Sequence, residues 1–220
     1  MTISTFSQTP TIETGVSQTL AKWRGANYSD VRYKLNLTLE KMSPVLKGTI
    51  EISLKNNADQ IVLDWRRIRG KEDLSKVSNV SVNGKAATFE EINEHLVFKE
   101  NVVKGENIIK LDFTSPIATS GAAITRYVDN EDGAEYVYSL FVPSDASTAF
   151  PVFDQPDLKA RFSLSATFPA DWKFVTNTEA SIEYKVTVSD CSENCELIKL
   201  DFYETKPIST YVFAFAAGEF

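Results

Sequence analysis

The stretch YSDVRYKLNLTL, residues 28–39, indicates the fold class because apolar and polar side chains alternate along it. Its apolar members after the first tyrosine are Val31, Tyr33, Leu35, Leu37 and Leu39. A period of two places them all on one face of an extended strand. The same period continues in GTIEISL, residues 48–54. The two segments therefore predict a hairpin of half-buried β-strands.

Short apolar runs separated by Gly, Asn and Asp clusters continue to the end of the chain. They predict strands at 61–65, 80–82, 95–98, 108–113, 136–142, 162–168, 172–175, 182–188, 197–203 and 211–217. Asn83-Gly84 predicts a tight hairpin turn, since both residues tolerate positive φ. We find no flexible linker and no internal repeat, so residues 28–220 are predicted to be one domain and residues 1–27 a lead-in with a short helix at 16–24. The prediction is an all-β antiparallel β-sandwich with a short N-terminal helix.

Composition excludes several partners. A net charge of −7 with interspersed signs leaves no basic stripe, which argues against nucleic acid. No apolar run approaches the roughly 20 residues that cross a bilayer, so no membrane span is predicted. Residues 1–14 lack signal-peptide features. A soluble chain follows, and its compartment stays open between the cytoplasm and export to the periplasm or the exterior.

Histidine and cysteine counts bear on metal chemistry. The chain has one histidine, His95, whereas the common zinc peptidase signature needs two on one helix. We therefore predict no metal site and no catalytic residue in this chain, and an ordinary strand histidine at His95. Cys191 and Cys195 stand in a C-x₃-C spacing, which fits either two free thiols or a disulfide that pins a hairpin end.

The segment FPVFDQPDLKARF, residues 150–162, differs from ordinary sandwich sequence. Two aspartates flank a proline, and two phenylalanines can anchor the loop beneath. By itself this pattern is typical of a rigid structural loop. The residues of the predicted motif are Phe150, Pro151, Phe153, Asp154, Pro156, Asp157 and Lys159.

This segment closely resembles the F-P-x-F-D-x-P-D-x-K-A stretch of the zinc aminopeptidases related to aminopeptidase N and leukotriene hydrolase. Residues 168–177 and 209–218 resemble later strands of the same N-terminal domain. The resemblance implies a curved, saddle-like β-sandwich that packs on a catalytic domain of the same polypeptide. It also implies that zinc, the general base and most contacts to a peptide substrate belong to that other domain.

The resemblance also points to two substrate-binding positions. Relatives often carry T-Q-x-Q or T-Q-x-E just before the motif, and these polar side chains line the pocket near the substrate's amine. Alignment on Asp145 and Phe150 puts the two positions at Leu140 and Val142, which are apolar. Either the catalytic domain alone recognises the amine, or substrate preference is shifted, or activity is lost, or both residues are simply core.

The function predicted from the sequence is the non-catalytic N-terminal domain of a zinc aminopeptidase, bracing the catalytic domain and forming one wall of its substrate pocket. The alternatives are an inactive homologue that acts as an interaction scaffold, and a stand-alone sandwich that binds a ligand. Docking predicts an exposed apolar patch near the terminal strand, residues 211–220, and on the loop of residues 141–153, with Phe150 and Phe153 pointing inward. The loop residues expected in the patch are Phe141, Val142, Pro143, Pro151 and Val152.

Overall fold

The computed structural model describes residues 10–187 and 196–220, and β-strands dominate them. The strands are β1 (Tyr28–Thr38), β2 (Val45–Asn56), β3 (Ile61–Asp64), β4 (Lys76–Val82), β5 (Lys85–Ala86), β6 (Glu90–Ile92), β7 (His95–Phe98), β8 (Gly105–Pro116), β9 (Ile124–Val128), β10 (Glu135–Ser139), β11 (Ala160–Pro169), β12 (Lys173–Thr176), β13 (Ala180–Thr187), β14 (Glu196–Phe202) and β15 (Phe215–Gly218). The helices are α1 (Gln18–Asn27) and three 3₁₀ turns, Glu72–Leu74, Ala146–Thr148 and Thr210–Val212. Cys191 and Cys195 lie outside the described residues, so the choice between thiols and a disulfide stays a prediction.

The largest sheet has eight strands in the order β13-β14-β11-β1-β2-β8-β4-β5. The predicted β1–β2 hairpin is confirmed, with Leu35 opposite Ile50 on the buried face. One pair departs from the antiparallel prediction, because β1 and β11 run parallel, with Leu35 also opposite Leu164. Parallel pairing needs a long crossover, and the intervening strands of the other sheets supply it.

Two smaller sheets pack against this sheet to form a sandwich. Their strand orders are β12-β15-β10-β9 and β3-β7-β6. Stacked aromatic rings join the layers: Phe162 of β11 lies 4.5 Å from Phe213, and Phe168 lies 5.4 Å from Phe174 of β12. The buried apolar residues form one continuous cluster. The prediction of an all-β sandwich is confirmed.

Helix α1 covers the open end of the core. Ser17 caps it, since its Oγ accepts a hydrogen bond from the Leu20 N–H at 3.2 Å. Leu20 and Trp23 are buried against the sandwich, so the helix is part of the packed structure. It begins and ends slightly later than the predicted 16–24. Within residues 10–187 and 196–220, no helix has the length and hydropathy to span a membrane.

Most predicted strands differ from the structure by a few residues at their ends, and two of them lose three or more residues at one end. The strand predicted at 136–142 ends at Ser139, although the next residue, Leu140, still donates its N–H to the Ala123 carbonyl in the same register at 2.7 Å. Pro143 then has no N–H with which to resume pairing. The strand predicted at 211–217 is also wrong at its start, because residues 210–212 form a 3₁₀ turn and pairing begins only at Phe215.

The predicted Asn83-Gly84 turn is confirmed. Both residues have positive φ, 52° and 75°, and they join β4 to β5 with Val82 opposite Lys85. This geometry matches the twist of the flanking strands, as in the common two-residue hairpin. The turn closes the edge of the large sheet.

Candidate functional site

The motif loop, residues 140–157, begins with two exposed apolar side chains. Leu140 and Val142 are 56% and 55% exposed, while Phe141 between them is 2% exposed. The in-and-out alternation of β10 therefore continues past its last paired residue. Neither residue belongs to the core, which removes that reading of the two substrate-binding positions.

Aromatic residues anchor the motif loop from beneath. Phe150 and Phe153 are fully buried, which confirms their predicted inward orientation. The ring of Phe150 lies 5.6 Å from that of Phe141 and 6.1 Å from that of Phe213. The exposed loop patch was predicted too broadly, since Phe141, Pro151 and Val152 are buried in the domain's own core. Their burial follows from this aromatic packing, which draws the loop inward.

Backbone and hydroxyl hydrogen bonds fasten the same loop to three different elements. Asp64 of β3 exchanges two backbone bonds with Val152, at 2.7 and 3.1 Å. The Phe153 N–H donates to the Tyr33 hydroxyl of β1 at 2.9 Å, and the Phe153 carbonyl accepts from the Thr210 hydroxyl at 2.9 Å. The motif is thus held rigidly where the sheets meet.

A buried ion-pair network lies under the motif loop, with the carboxylate of Asp64 at its centre. Arg24 of α1 donates to both oxygens, with Nη2 2.6 Å from Oδ1 and Nη1 2.9 Å from Oδ2. The His95 Nε2 of β7 lies 3.0 Å from Oδ1, and the Asp154 N–H donates to Oδ2 at 2.7 Å. Because a buried charge needs partners on every side, these contacts bind helix, strands and motif together.

The two aspartates of this network have opposite pKa shifts. Burial would raise the pKa of Asp64, but the charges and hydrogen bonds of Arg24 and His95 outweigh it and hold that pKa below its ordinary value. Burial raises the pKa of Asp154 to about 6, although the Ser147 N–H, 3.0 Å from its Oδ2, favours the charged form. The buried carboxyl of Asp154 therefore holds its proton more strongly than an ordinary aspartate does.

The remaining motif residues are divided between surface and core. Pro156, Asp157 and Lys159 are exposed. The Pro156 carbonyl accepts a hydrogen bond from the Ser209 hydroxyl at 2.6 Å, which fixes the turn. The motif therefore combines buried anchors with an exposed polar tip.

The outer face of the four-stranded sheet is mostly apolar and aromatic, with the exposed Lys173 beside it in β12, and we call its apolar part the tyrosine face. Its members are Tyr127, Tyr136, Tyr138, Val175 and Phe220. Cross-strand pairing aligns Tyr138 and Val175 on either side of Ala216, and the ring of Phe220 lies 5.2 Å from that of Tyr136. Leu140 and Val142 follow Tyr138 at intervals of two residues, so they extend this face toward the motif loop.

The residues present do not fit a zinc ion. In residues 10–187 and 196–220 no three His, Cys, Asp or Glu side chains are grouped so that they could hold a metal. The Asp64 carboxylate already contacts both His95 and Arg24, so neither Asp64 nor His95 is free to bind a metal. We therefore derive no chemical step through zinc in this domain.

The ion-pair network around His95 is not visible in the sequence, which predicts an ordinary strand histidine. Asp64 and Arg24 lie 31 and 71 positions earlier in the chain, and Asp64 joins His95 and Arg24 only in space. One signal was available: Asp64 interrupts the apolar run 61–65, and a carboxylate inside a buried strand requires a cationic partner.

Comparison with known proteins places this architecture in a family. The family model of the peptidase M1 N-terminal domain matches residues 29–212. An M1 zinc metallopeptidase from Deinococcus radiodurans superposes with a TM-score of 0.66 over 87% of this chain and 42% of that one. At 22% identity this similarity shows the fold alone.

Longer relatives share recognisable sequence with the chain. It is 30% identical to aminopeptidase M1 of Arabidopsis thaliana over 207 residues, which are 86% of this chain and 22% of the relative. It is also 30% identical to aminopeptidase N of Streptomyces lividans over 145 residues, 66% of this chain and 16% of that protein. The chain thus spans about a fifth of the length of these relatives. Since the family model covers most of the chain, the protein belongs to the peptidase M1 N-terminal domain family.

Proposed function

We propose that this chain is the non-catalytic N-terminal domain of a zinc aminopeptidase, an enzyme that removes N-terminal residues from peptides. In this proposal the domain braces a catalytic domain of the same polypeptide and forms one wall of its substrate pocket. The observation that carries it is the exposure of Leu140 and Val142 at the end of the tyrosine face. The length of the relatives, which are named aminopeptidases, supports the presence of a further domain.

The bracing role draws on the tyrosine face. Tyr127, Tyr138 and Val175 are 50%, 41% and 56% exposed and share one side of one sheet. Phe220, which is 59% exposed, follows the last strand and contacts the ring of Tyr136. A contiguous apolar face of this kind is typical of an interface, whereas scattered single residues are not. Interfaces between domains of one chain cover about 600–1,500 Å², so we propose that the tyrosine face is the centre of such an interface.

The wall role draws on Leu140 and Val142. In the proposed enzyme these side chains present hydrocarbon where many relatives present an amide and a carboxylate. An ammonium group gains no charge-assisted hydrogen bond from such a wall. We therefore propose that the amine is recognised by the catalytic domain and that this wall contacts an apolar part of the peptide.

The test uses the full-length enzyme with Val142→Glu and Leu140→Gln combined. A carboxylate near the substrate's ammonium should change KM or substrate preference by about tenfold or more. Val103→Glu is the matched control, since Val103 is also half exposed but lies in the loop before β8. Kinetics on aminoacyl anilides that are unchanged in a folded double variant would contradict the wall role.

A separate experiment tests bracing. This chain and the rest of the polypeptide are produced as two pieces, and their association is measured by calorimetry. Val175→Asp should weaken association strongly and leave the melting temperature of the isolated chain unchanged, because Val175 is 56% exposed. Association that is insensitive to this change would remove the tyrosine face from the interface.

A second candidate is an inactive homologue that acts as an interaction scaffold. The observation that favours it is the same apolar pair, Leu140 and Val142, because a protein freed from peptide hydrolysis no longer needs polar groups there. If the two pieces of the polypeptide associate normally but the full-length protein hydrolyses no aminoacyl substrate, the scaffold would be supported over the enzyme.

A further inference from the structure

A cleft of about 340 Å³ opens beside the buried ion-pair network. It lies between the chain just before and within α1, the ends of β3 and β7, and the motif loop. Its polar lining includes Glu94, His95, Ser147, Asp154, Gln155 and Asp157. The bracing and wall roles proposed above use other side chains, so the cleft is unexplained by them.

Negative charge is left over in this cleft. Glu94, Asp154 and Asp157 all line it, and none forms an ion pair with a lysine or arginine in the part of the chain that the structure describes. The arginine in the lining, Arg66, is engaged with the carboxylate of Asp145. The surplus carboxylates make the cleft attractive to a cation and repellent to an anion.

An unpartnered buried acceptor supplies an independent observation. Gln155 is only 2% exposed and lines the same cleft, where its Nε2 donates to the Ala21 carbonyl at 3.0 Å. Its Oε1 accepts no hydrogen bond from any described residue. A buried acceptor without a donor is costly, and native proteins rarely leave one. The neighbouring carboxylate of Asp154 accepts a hydrogen bond from the Ser147 N–H at 3.0 Å and has no cationic partner within 4 Å among the described residues.

We propose that this cleft binds an organic cation with several N–H donors, either a primary ammonium or a guanidinium group. Such a group would donate to the Gln155 Oε1 and to the Asp154 carboxylate while neutralising the surplus charge. A divalent metal fits less well, since the described residues do not converge three ligands on one point. An apolar ligand would leave the carboxylates without partners.

This chemistry has two possible sources. One is a lysine or arginine side chain from another part of a longer polypeptide, and the other is a free amine or a basic residue of a peptide ligand. Both present the same donors to the same acceptors. The proposal does not rest on the aminopeptidase proposal, because the residues that line the cleft all belong to this chain.

The experiment titrates the isotope-labelled 220-residue chain with ethylammonium or with methylguanidinium and follows amide chemical shifts by NMR. Tetramethylammonium at equal ionic strength is the control, since it has the charge but no N–H donor. We expect saturable shifts at residues 154–157 with the first two cations and none with the third. Failure of both cations to saturate at about 10 mM, a concentration that detects even millimolar dissociation constants, would overturn the proposal.

Variants separate this site from general attraction to an acidic protein. Asp154→Asn keeps the acceptor for Ser147 and removes the charge, so it should weaken binding about tenfold or more. Asp157→Asn is exposed, safe for folding, and should weaken binding severalfold. Asp59→Asn, at a carboxylate that is 89% exposed, lies near Lys104 and does not line the cleft, should change nothing. Wild-type affinity in both cleft variants would contradict the proposal.

The full-length protein distinguishes the two sources. If an internal side chain is the natural occupant, the longer protein should not bind the probes, and replacement of that lysine or arginine should restore binding. If the occupant is free, the longer protein should bind the probes as the short chain does. Each result supports the cation site, whereas a longer protein that neither binds the probes nor recovers binding after any such replacement would oppose it.

Discussion

Replacing Arg24 by methionine should test whether the buried ion pair holds the motif in place. The side chain of Arg24 is 0% exposed, and it donates three hydrogen bonds, two to Asp64 and one to the Val62 carbonyl at 2.9 Å. Methionine keeps most of the volume and removes the charge. The substitution therefore isolates the electrostatic role of the guanidinium.

The magnitude follows from what the change leaves behind. Asp64 stays buried with a carboxylate that has lost its only fully charged partner, since His95 is charged only when protonated. Removing one member of a buried pair typically costs about 3–5 kcal/mol, because the remaining charge is uncompensated. In a domain of this size 1 kcal/mol shifts the melting temperature by about 2–4 °C, so a fall of roughly 10 °C is expected.

The assay is urea unfolding of the 220-residue chain followed by fluorescence. Arg32→Met is the matched control, because the Arg32 side chain also forms ion pairs but is 44% exposed. Surface ion pairs of this kind contribute about 0–1 kcal/mol to the unfolding free energy. Adding Asp64→Asn to Arg24→Met should recover part of the loss. A loss below about 1 kcal/mol in Arg24→Met would refute the reasoning and would mean that solvent reaches Asp64.

Three further predictions concern pH, packing and metal. Burial raises the folded-state pKa of Asp154 to about 6, so the folded state holds this proton more tightly than the unfolded state does. The resulting contribution to the unfolding free energy is lost as pH rises from about 4 to about 6, and Asp154→Asn should remove up to about 3 kcal/mol of this pH dependence. Profiles of unfolding free energy against pH that run parallel in the two proteins would contradict this prediction. Gly48→Ala should cost about 1–3 kcal/mol, because the new Cβ would lie 2.6 Å from Phe113 Cζ and 2.8 Å from the Asn36 carbonyl oxygen. Gly25→Ala is the control, because no atom lies within 4 Å of its added Cβ, and it should not lower the unfolding free energy. Equal effects of the two changes would mean that the sheet moves to accommodate the new methyl group at position 48. The pure chain should bind no zinc tightly and hydrolyse no aminoacyl substrate, as measured by metal analysis and anilide turnover; stoichiometric zinc with turnover would contradict this.

Local sequence was sufficient wherever one face of one strand decides the outcome. The alternation from Val31 to Leu39 predicts β1 because a strand has a period of two whatever surrounds it. Asn83-Gly84 predicts its turn because few residues accept positive φ. The two phenylalanines of the motif are predicted to point inward because large apolar side chains in a polar loop are buried when they can reach the core, and Phe150 and Phe153 are buried.

Ends of elements and partners of charged groups could not be predicted in this way. β10 ends at Ser139 because its partner β9 begins at the opposite residue, Ile124, so a neighbouring strand and not the local pattern sets this end. The pairing of β1 with β11 joins segments about 130 residues apart in a parallel register. Such choices depend on which strands are free to pair once the other sheets have formed.

The sequence by itself determined that this protein is a β-sandwich of its family, since periodicity and the FPVFDQPDLKA motif are local properties of the chain. Only the tertiary structure decided what the chemical groups do. Arg24, Asp64, His95 and Asp154 come from four separate segments, and they form one network because the fold removes them from water together. A buried charge must be neutralised by whatever lies beside it in space, and spacing along the chain carries no record of that neighbour.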